Sequence, residues 1–204
     1  MSKTDFKKEF KEFYSAKKDK VSFVDVPKMK YLSIEGKGDP NTSKEYRDAI
    51  EALMSVSFKT KFIMKKEFNK DYVVMPLEGL WYADNMDDYL TGNKSNWKWN
   101  SLVMQPDFVD EEHIKMAIDE VQQKKDLNSI DVLNFIKLNE GLSAQIMHIG
   151  PFKDEGPTVS KLHNEIENND YSFNGLHHEI YLSDIRRANP EKLKTIIRQP
   201  IKKE

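Results

Sequence analysis

Glu78-Gly79-Leu80-Trp81-Tyr82 and His177-His178-Glu179-Ile180-Tyr181-Leu182 carry the same kind of pattern about a hundred residues apart. Each sets a glutamate inside an apolar, strand-like run, where a charge is costly unless something uses it. Side chains alternate along a strand, so a tyrosine two or four residues on shares the glutamate's face. Glu179 shares its face with His177 and Tyr181, while His178, Ile180 and Leu182 take the other. Glu78 shares its face with Tyr72 and Tyr82, and Trp81 falls with Leu77 and Met75.

The surroundings of the two runs repeat as well. Val21–Val26 and Lys30–Glu35 read as strands, closed by the Gly36-Lys37-Gly38 turn. Thr42 and Glu45 are spaced as a capping box, opening a helix with Tyr46, Ile50, Leu53 and Met54 on its inner face. Tyr72–Tyr82 reads as one long strand, Asp84–Asn96 as a polar loop, and Trp97–Gln105 as a strand with Trp97 and Trp99 on one face. Asp110 caps a helix lined by Ile114, Ala117, Ile118 and Val121. In the second half, Phe135–Lys137 and Leu142–Ile149 read as a hairpin about Asn139-Glu140-Gly141. Pro157 suits the first turn of a helix presenting Val159, Leu162 and Ile166, and the Leu176–Leu182 strand follows. Each half runs strand, glycine turn, helix, glutamate-bearing strand. The order predicts a pseudo-twofold α+β domain, with a mainly antiparallel sheet and helices on one face. The expected divisions are an N-terminal helix over 1–19, carrying Phe6, Phe10, Phe13 and Tyr14, a first module over 20–125 and a second over 126–204.

Composition narrows the function. The 204 residues are 38% hydrophobic and 32% charged, enough for a solvated domain with a real core. A formal net charge of −2 gives no electrostatic reason to expect nucleic acid. With no cysteine, disulfides, thiolate nucleophiles and thiolate zinc sites are excluded. No run is long enough for a signal peptide or a membrane span, and the expected location is cytoplasmic. His177 and His178 are adjacent and point to opposite faces, His113 lacks a helical partner, and there is no HExxH, so no metal is expected. Gly36-Lys37-Gly38-Asp39 lacks the Walker spacing and ending. A carboxylate among aromatics pairs with a cationic ligand, donates a proton when desolvation raises its pKa, or acts as a base toward water. Large aromatics at strand spacing belong by default to the core, which is the first reading of Trp81.

Several separated segments together resemble a known family. They are Pro76–Tyr82, Trp97-Lys98-Trp99, Gln105-Pro106-Asp107-Phe108, Gly150-Pro151-Phe152, His177–Asp184 and Leu193–Pro200. They resemble stand-alone GyrI-like small-molecule-binding proteins, from about residue 20 to the end. The resemblance implies a tandem of two similar β-α-β-β modules that make one antiparallel sheet, with a ligand cleft at the pseudo-dyad. In related transcription regulators the domain senses hydrophobic, often cationic drugs through a glutamate that Glu179 matches by position. Such regulators also carry a helix-turn-helix domain, for which there is no room before the first strand. The EGLW and HHEIYL motifs resemble the subset that opens the cyclopropane ring of DNA-alkylating natural products with water. That likeness implies Glu179 and Tyr181 as catalytic residues, with Glu179 activating the water. It implies Glu78, Trp81, Tyr82, Trp97, Trp99 and His177 as ligand-binding residues for an aromatic small molecule, and no cofactor. Tyr82 stands where many relatives have tryptophan. A non-catalytic drug-sequestering module and a protein-interaction regulator are the alternatives.

Overall fold

The computed structural model describes residues 3–84 and 94–204. Among them are the helices α1 (Phe6–Glu9), α2 (Lys44–Glu67), α3 (Glu111–Gln122) and α4 (Gly156–Asn168). The strands are β1 (Ser22–Val26), β2 (Met29–Lys37), β3 (Leu77–Tyr82), β4 (Lys98–Gln105) and β5 (Asn134–Leu138). They continue with β6 (Gly141–Ile149), β7 (Tyr171–Phe173), β8 (His177–Tyr181) and β9 (Lys194–Lys203). All ladders between the strands named below are antiparallel, as the α+β reading requires. No described helix is long and apolar enough to cross a membrane.

The chain forms two compact units. One holds Met1–Phe6 and Met29–Leu138. Its strands lie in the order β3-β4-β2-β5. α2 packs on β2 and β4, and α3 packs on α2. α2 begins at Ser43, whose hydroxyl accepts from the Tyr46 N–H at 3.1 Å. The cap is thus one residue beyond the expected Thr42–Glu45 box. Ala49, Leu53, Val56, Thr60 and Met64 recur at three- and four-residue intervals and are all buried, the spacing that keeps one helical face in the core. Asp110 caps α3 as expected, accepting from the N–H groups of Glu112 and His113 at 3.1 and 3.2 Å.

The other unit holds Lys7–Lys28 and Asn139–Glu204. Its strands lie in the order β8-β9-β6-β1, with β7 on the far end of β9. α4, with proline in its first turn, covers a core of Val21, Ala144, Ile146, Leu162, Ile166, Ile197 and Ile201.

Three expectations change. β5 and β6 are not a hairpin: β5 pairs with β2, and β6 pairs with β1 and β9. Glu140 between them is buried and ion-paired. β1 belongs to the second unit and β5 to the first. The long strand from Tyr72 shrinks to β3, because Pro76 has no N–H to give a ladder. Tyr72 instead makes a parallel bridge with Thr4 and packs edge-on against Phe6 and Phe108 at 6.4 and 5.7 Å. The N-terminal helix is one turn long, and Phe10–Tyr14 follow it as a turn. Of the expected loop, residues 85–93 lie outside the described residues, and Lys94–Asn96 form a short 3-10 turn.

Candidate functional site

β8 carries the densest set of chemical groups. Glu179 pairs across the ladder with Ile197, which pairs with Ile146. Those isoleucines pack on Leu162 and Ile166 of α4. Directly opposed residues share a face, so Glu179 looks toward α4, and alternation puts His177 and Tyr181 there too. His177 Nε2 lies 3.3 Å from Glu179 Oε1, with both side chains 8% exposed. Tyr181 pairs with Thr195 and Thr195 with His148. The His148 ring is held by Thr158 Oγ1 and by the Pro151 carbonyl, each at 3.1 Å. The following residue, Phe152, packs edge-on against Tyr181 at 5.5 Å. From α4, His163 stacks at 4.6 Å on Phe173. Burial, and after it the proximity of His177, holds the His163 pKa below its ordinary value. A carboxylate, an imidazole and a phenol thus share one strand face, in a setting suited to moving a proton.

The opposite face of β8 is closed by a buried ion network. His178 Nδ1 contacts Glu140 Oε1 at 2.8 Å, and Arg198 Nη1 donates to Glu140 Oε2 at 2.7 Å. Arg198 also donates to Gln145 Oε1 at 3.2 Å and to the Phe13 carbonyl at 2.5 Å. Gln145 Nε2 donates in turn to the carbonyls of Glu12 and Ser15 at 2.8 and 3.3 Å. Burial alone would push the Glu140 pKa up, but His178 and Arg198 outweigh it and hold the carboxyl at about 2.

In the first unit, Trp81 pairs with Trp99 and Trp99 with Gly36. Gln105, on the same face of β4 as Trp99, donates to Ser57 of α2 at 3.4 Å, so this face looks toward α2. Tyr46 of α2 stands edge-on to Trp99 at 4.9 Å and tilted to Trp81 at 5.8 Å, and Trp81 meets Trp97 at 5.9 Å. Trp99 is wholly buried and Trp81 nearly so, whereas Trp97 stays half-buried, with the Lys94 ammonium 5.1 Å over its ring.

Glu78 and Tyr82 lie on the other face of β3, away from α2. Glu78 is fully buried there and pairs with Leu102, which pairs with Ser33. Beside them Ser33 donates to Asn100 Oδ1 at 2.7 Å, and Asn100 donates to Glu35 at 3.3 Å. Burial, and then the Glu35 charge, raises the Tyr82 pKa.

Two glycines align the modules. Gly38 and Gly150 both have left-handed backbones, with φ of 105° and 140°. Their N–H groups donate to the carbonyls of Trp97 and Leu193. In that register Gly36 matches His148, Trp99 matches Thr195, and Trp81 matches Tyr181. Gly79 therefore matches Glu179, and Glu78 matches His178. The two glutamates are not equivalent: Glu179 faces its unit's helix and Glu78 faces away from its own. Of the expected site residues, His177, Glu179 and Tyr181 stand together. Trp81, Trp97 and Trp99 form a second group, and Glu78 and Tyr82 lie on that group's reverse face. Glu140, Arg198, His148 and His163 complete the environment of β8; only Arg198, within Leu193–Pro200, fell in a segment that carried the family resemblance. Among the described residues no cluster of three or more side chains suits a metal ion.

Fold and site define a tandem α+β domain whose strands present aromatic side chains and, at Glu179, a carboxylate toward the helices. Residues 19–202 match the model of the GyrI-like small-molecule-binding domain, and the chain belongs to this family. No curated protein matches the chain. A crystal structure of an uncharacterized conserved protein from Listeria innocua is 38% identical over 98% of this chain and 100% of that one, with a TM-score of 0.90. A structure described as a hydrolase from Listeria innocua matches at 38% identity and TM-score 0.85, again over 98% and 100%. The C-terminal domain of EcmrR shares the fold at 12% identity and TM-score 0.58, over 91% of this chain and 98% of that one.

Proposed function

We propose that the protein hydrolyses small aromatic electrophiles, namely cyclopropane-bearing DNA-alkylating toxins, by glutamate-assisted attack of water. The observation that carries this reading is the buried Glu179 carboxylate with His177 and Tyr181 on one strand face. The full-length likeness to a protein described as a hydrolase supports it, as does the resemblance of the EGLW and HHEIYL motifs. In the reaction, Glu179 takes a proton from water as the water oxygen bonds to a cyclopropane carbon. The ring bond breaks, and its electron pair passes through the conjugated system to the ligand's carbonyl oxygen. That oxygen becomes a phenolate, which Tyr181 stabilises by hydrogen bonding and which ends as a phenol by gaining, through solvent, the proton that Glu179 releases. Aromatisation drives the step, so placing one water supplies much of what is needed.

The test is to incubate the protein with a cyclopropane-bearing alkylator and look for the ring-opened hydrate by mass spectrometry. Glu179→Gln should abolish the hydrate while ligand quenching of tryptophan fluorescence survives. Full turnover by that variant removes Glu179 from the chemistry. Stoichiometric binding without hydrate from the wild type makes the protein a sequestering module.

A further inference from the structure

The ion network behind β8 takes no part in the proposed chemistry, yet it grips the residue between two that do. His178, Arg198 and Gln145 are direct cross-strand partners on β8, β9 and β6. They form one polar row on the face away from α4. Glu140 reaches over the row to His178 at 2.8 Å and to Arg198 at 2.7 Å. The carbonyls of Glu12, Phe13 and Ser15 take the remaining bonds of the arginine and the glutamine. The side chains of His178, Arg198 and Glu140 are 0, 1 and 3% exposed.

A buried ion pair is a poor route to stability, since apolar side chains of like volume usually serve as well or better. What a buried network of several mutual hydrogen bonds does supply is a single, rigid arrangement. On a strand, fixing the side chain at 178 fixes the backbone from which 177 and 179 leave toward the other face. We propose that Glu140 and Arg198 are positioning residues, acting through His178 to hold Glu179 and His177 in register for the reaction. This rests on the function proposed above. An ionised carboxylate only accepts hydrogen bonds, so the Glu140 contact also places a proton on His178 Nδ1.

Glu140→Gln tests the proposal. An amide accepts at one atom and donates at the other. With its oxygen kept by Arg198, its NH2 group meets His178 Nδ1, which can accept that bond only without a proton of its own. The 15N resonances of His178 report that change directly, and those of His177 report whether it crosses the strand. Both are expected to shift. Single-turnover ring opening of the alkylator is expected to slow about 10- to 100-fold, the loss that a misplacement of about 1 Å brings to a reacting group. Binding measured by fluorescence quenching stays as in the wild type. A folded variant with unchanged His177 resonances and unchanged rate overturns the proposal. If the wild type opens no ring, the hydrolase reading fails and the His177 resonances alone decide this one. Should Glu140→Gln not fold, Arg198→Lys replaces it, keeping the charge but losing the fork that joins Glu140, Gln145 and Phe13. Unchanged His177 resonances there overturn the proposal equally.

Discussion

A methyl group on Gly36 would stand 2.3 Å from the ring of Trp99 and 2.8 Å from Glu45 Oε1. Trp99 is wholly buried under Tyr46 and has nowhere to retreat. Gly36→Ala should therefore displace Trp99, lowering stability by about 1–3 kcal/mol as over-packed cores do and altering the tryptophan near-UV circular dichroism. An unchanged spectrum and melting temperature would show that the ring has room. Glu140 gives a second prediction. Its folded pKa of about 2 lies below the ordinary 4.5. Its contribution to stability is thus full above 4.5 and is lost as pH falls from there toward 2. Urea unfolding between pH 6 and pH 3 should show the wild type losing more stability than Glu140→Gln, which has no such carboxyl to protonate. Equal losses would mean that Glu140 is not held ionised by His178 and Arg198. That His177, Glu179 and Tyr181 share a face was legible from alternation alone. Which face each glutamate takes relative to its helix was not, because period two has no absolute phase until a partner strand fixes it. Glu140 was hidden for a related reason, since a charged residue beside glycine reads as a turn unless its buried partners are known.

The helices were legible as apolar faces at helical spacing, and their ends less so. Thr42 and Ser43 are both acceptable caps, and the choice depends on where the backbone turns helical. Ser43 holds the Tyr46 N–H. Ser43→Ala should cost about 1 kcal/mol and Thr42→Ala far less, measured by urea denaturation of the two variants. The reverse order would return the helix start to Thr42. Strands were harder, because a strand is completed by residues remote in sequence. Phe135–Lys137 and Leu142–Ile149 flank Glu140-Gly141 as hairpin arms do, but β2 and β1 compete for them. The winning ladders run over Met29–Ser33 with β5 and Ser22–Val26 with β6. Likewise the apolar run before β3 looks continuous in composition, while Pro76 and the Thr4–Tyr72 bridge divide it.

At the scale of the molecule, the chain's order and its units do not coincide. β1 and β2 are separated only by Pro27-Lys28, yet β1 completes the second unit's sheet and β2 lies within the first. β5 and β6 repeat the arrangement across Asn139-Glu140. Each module of the tandem thus begins with a strand that the other module uses as an edge. A sheet deprived of its edge strand exposes a row of unpaired N–H and C=O groups on the strand beneath. Residues 20–125 lack β5, leaving one side of β2 open. Residues 126–204 lack β1, the core residue Val21 and the Phe13 carbonyl that receives Arg198. Neither fragment should fold alone, although both contain a β-α-β-β order that suggests independence. Amide spectra of the two fragments should be poorly dispersed, with the full chain dispersed and cooperative in unfolding. A fragment with a native-like spectrum would show that the exchanged strand is dispensable to its unit. The exchange also gives the N-terminal segment a structural task. Its carbonyls terminate the Arg198 and Gln145 bonds behind β8, so residues early in the chain complete the support of a strand formed some 160 residues later.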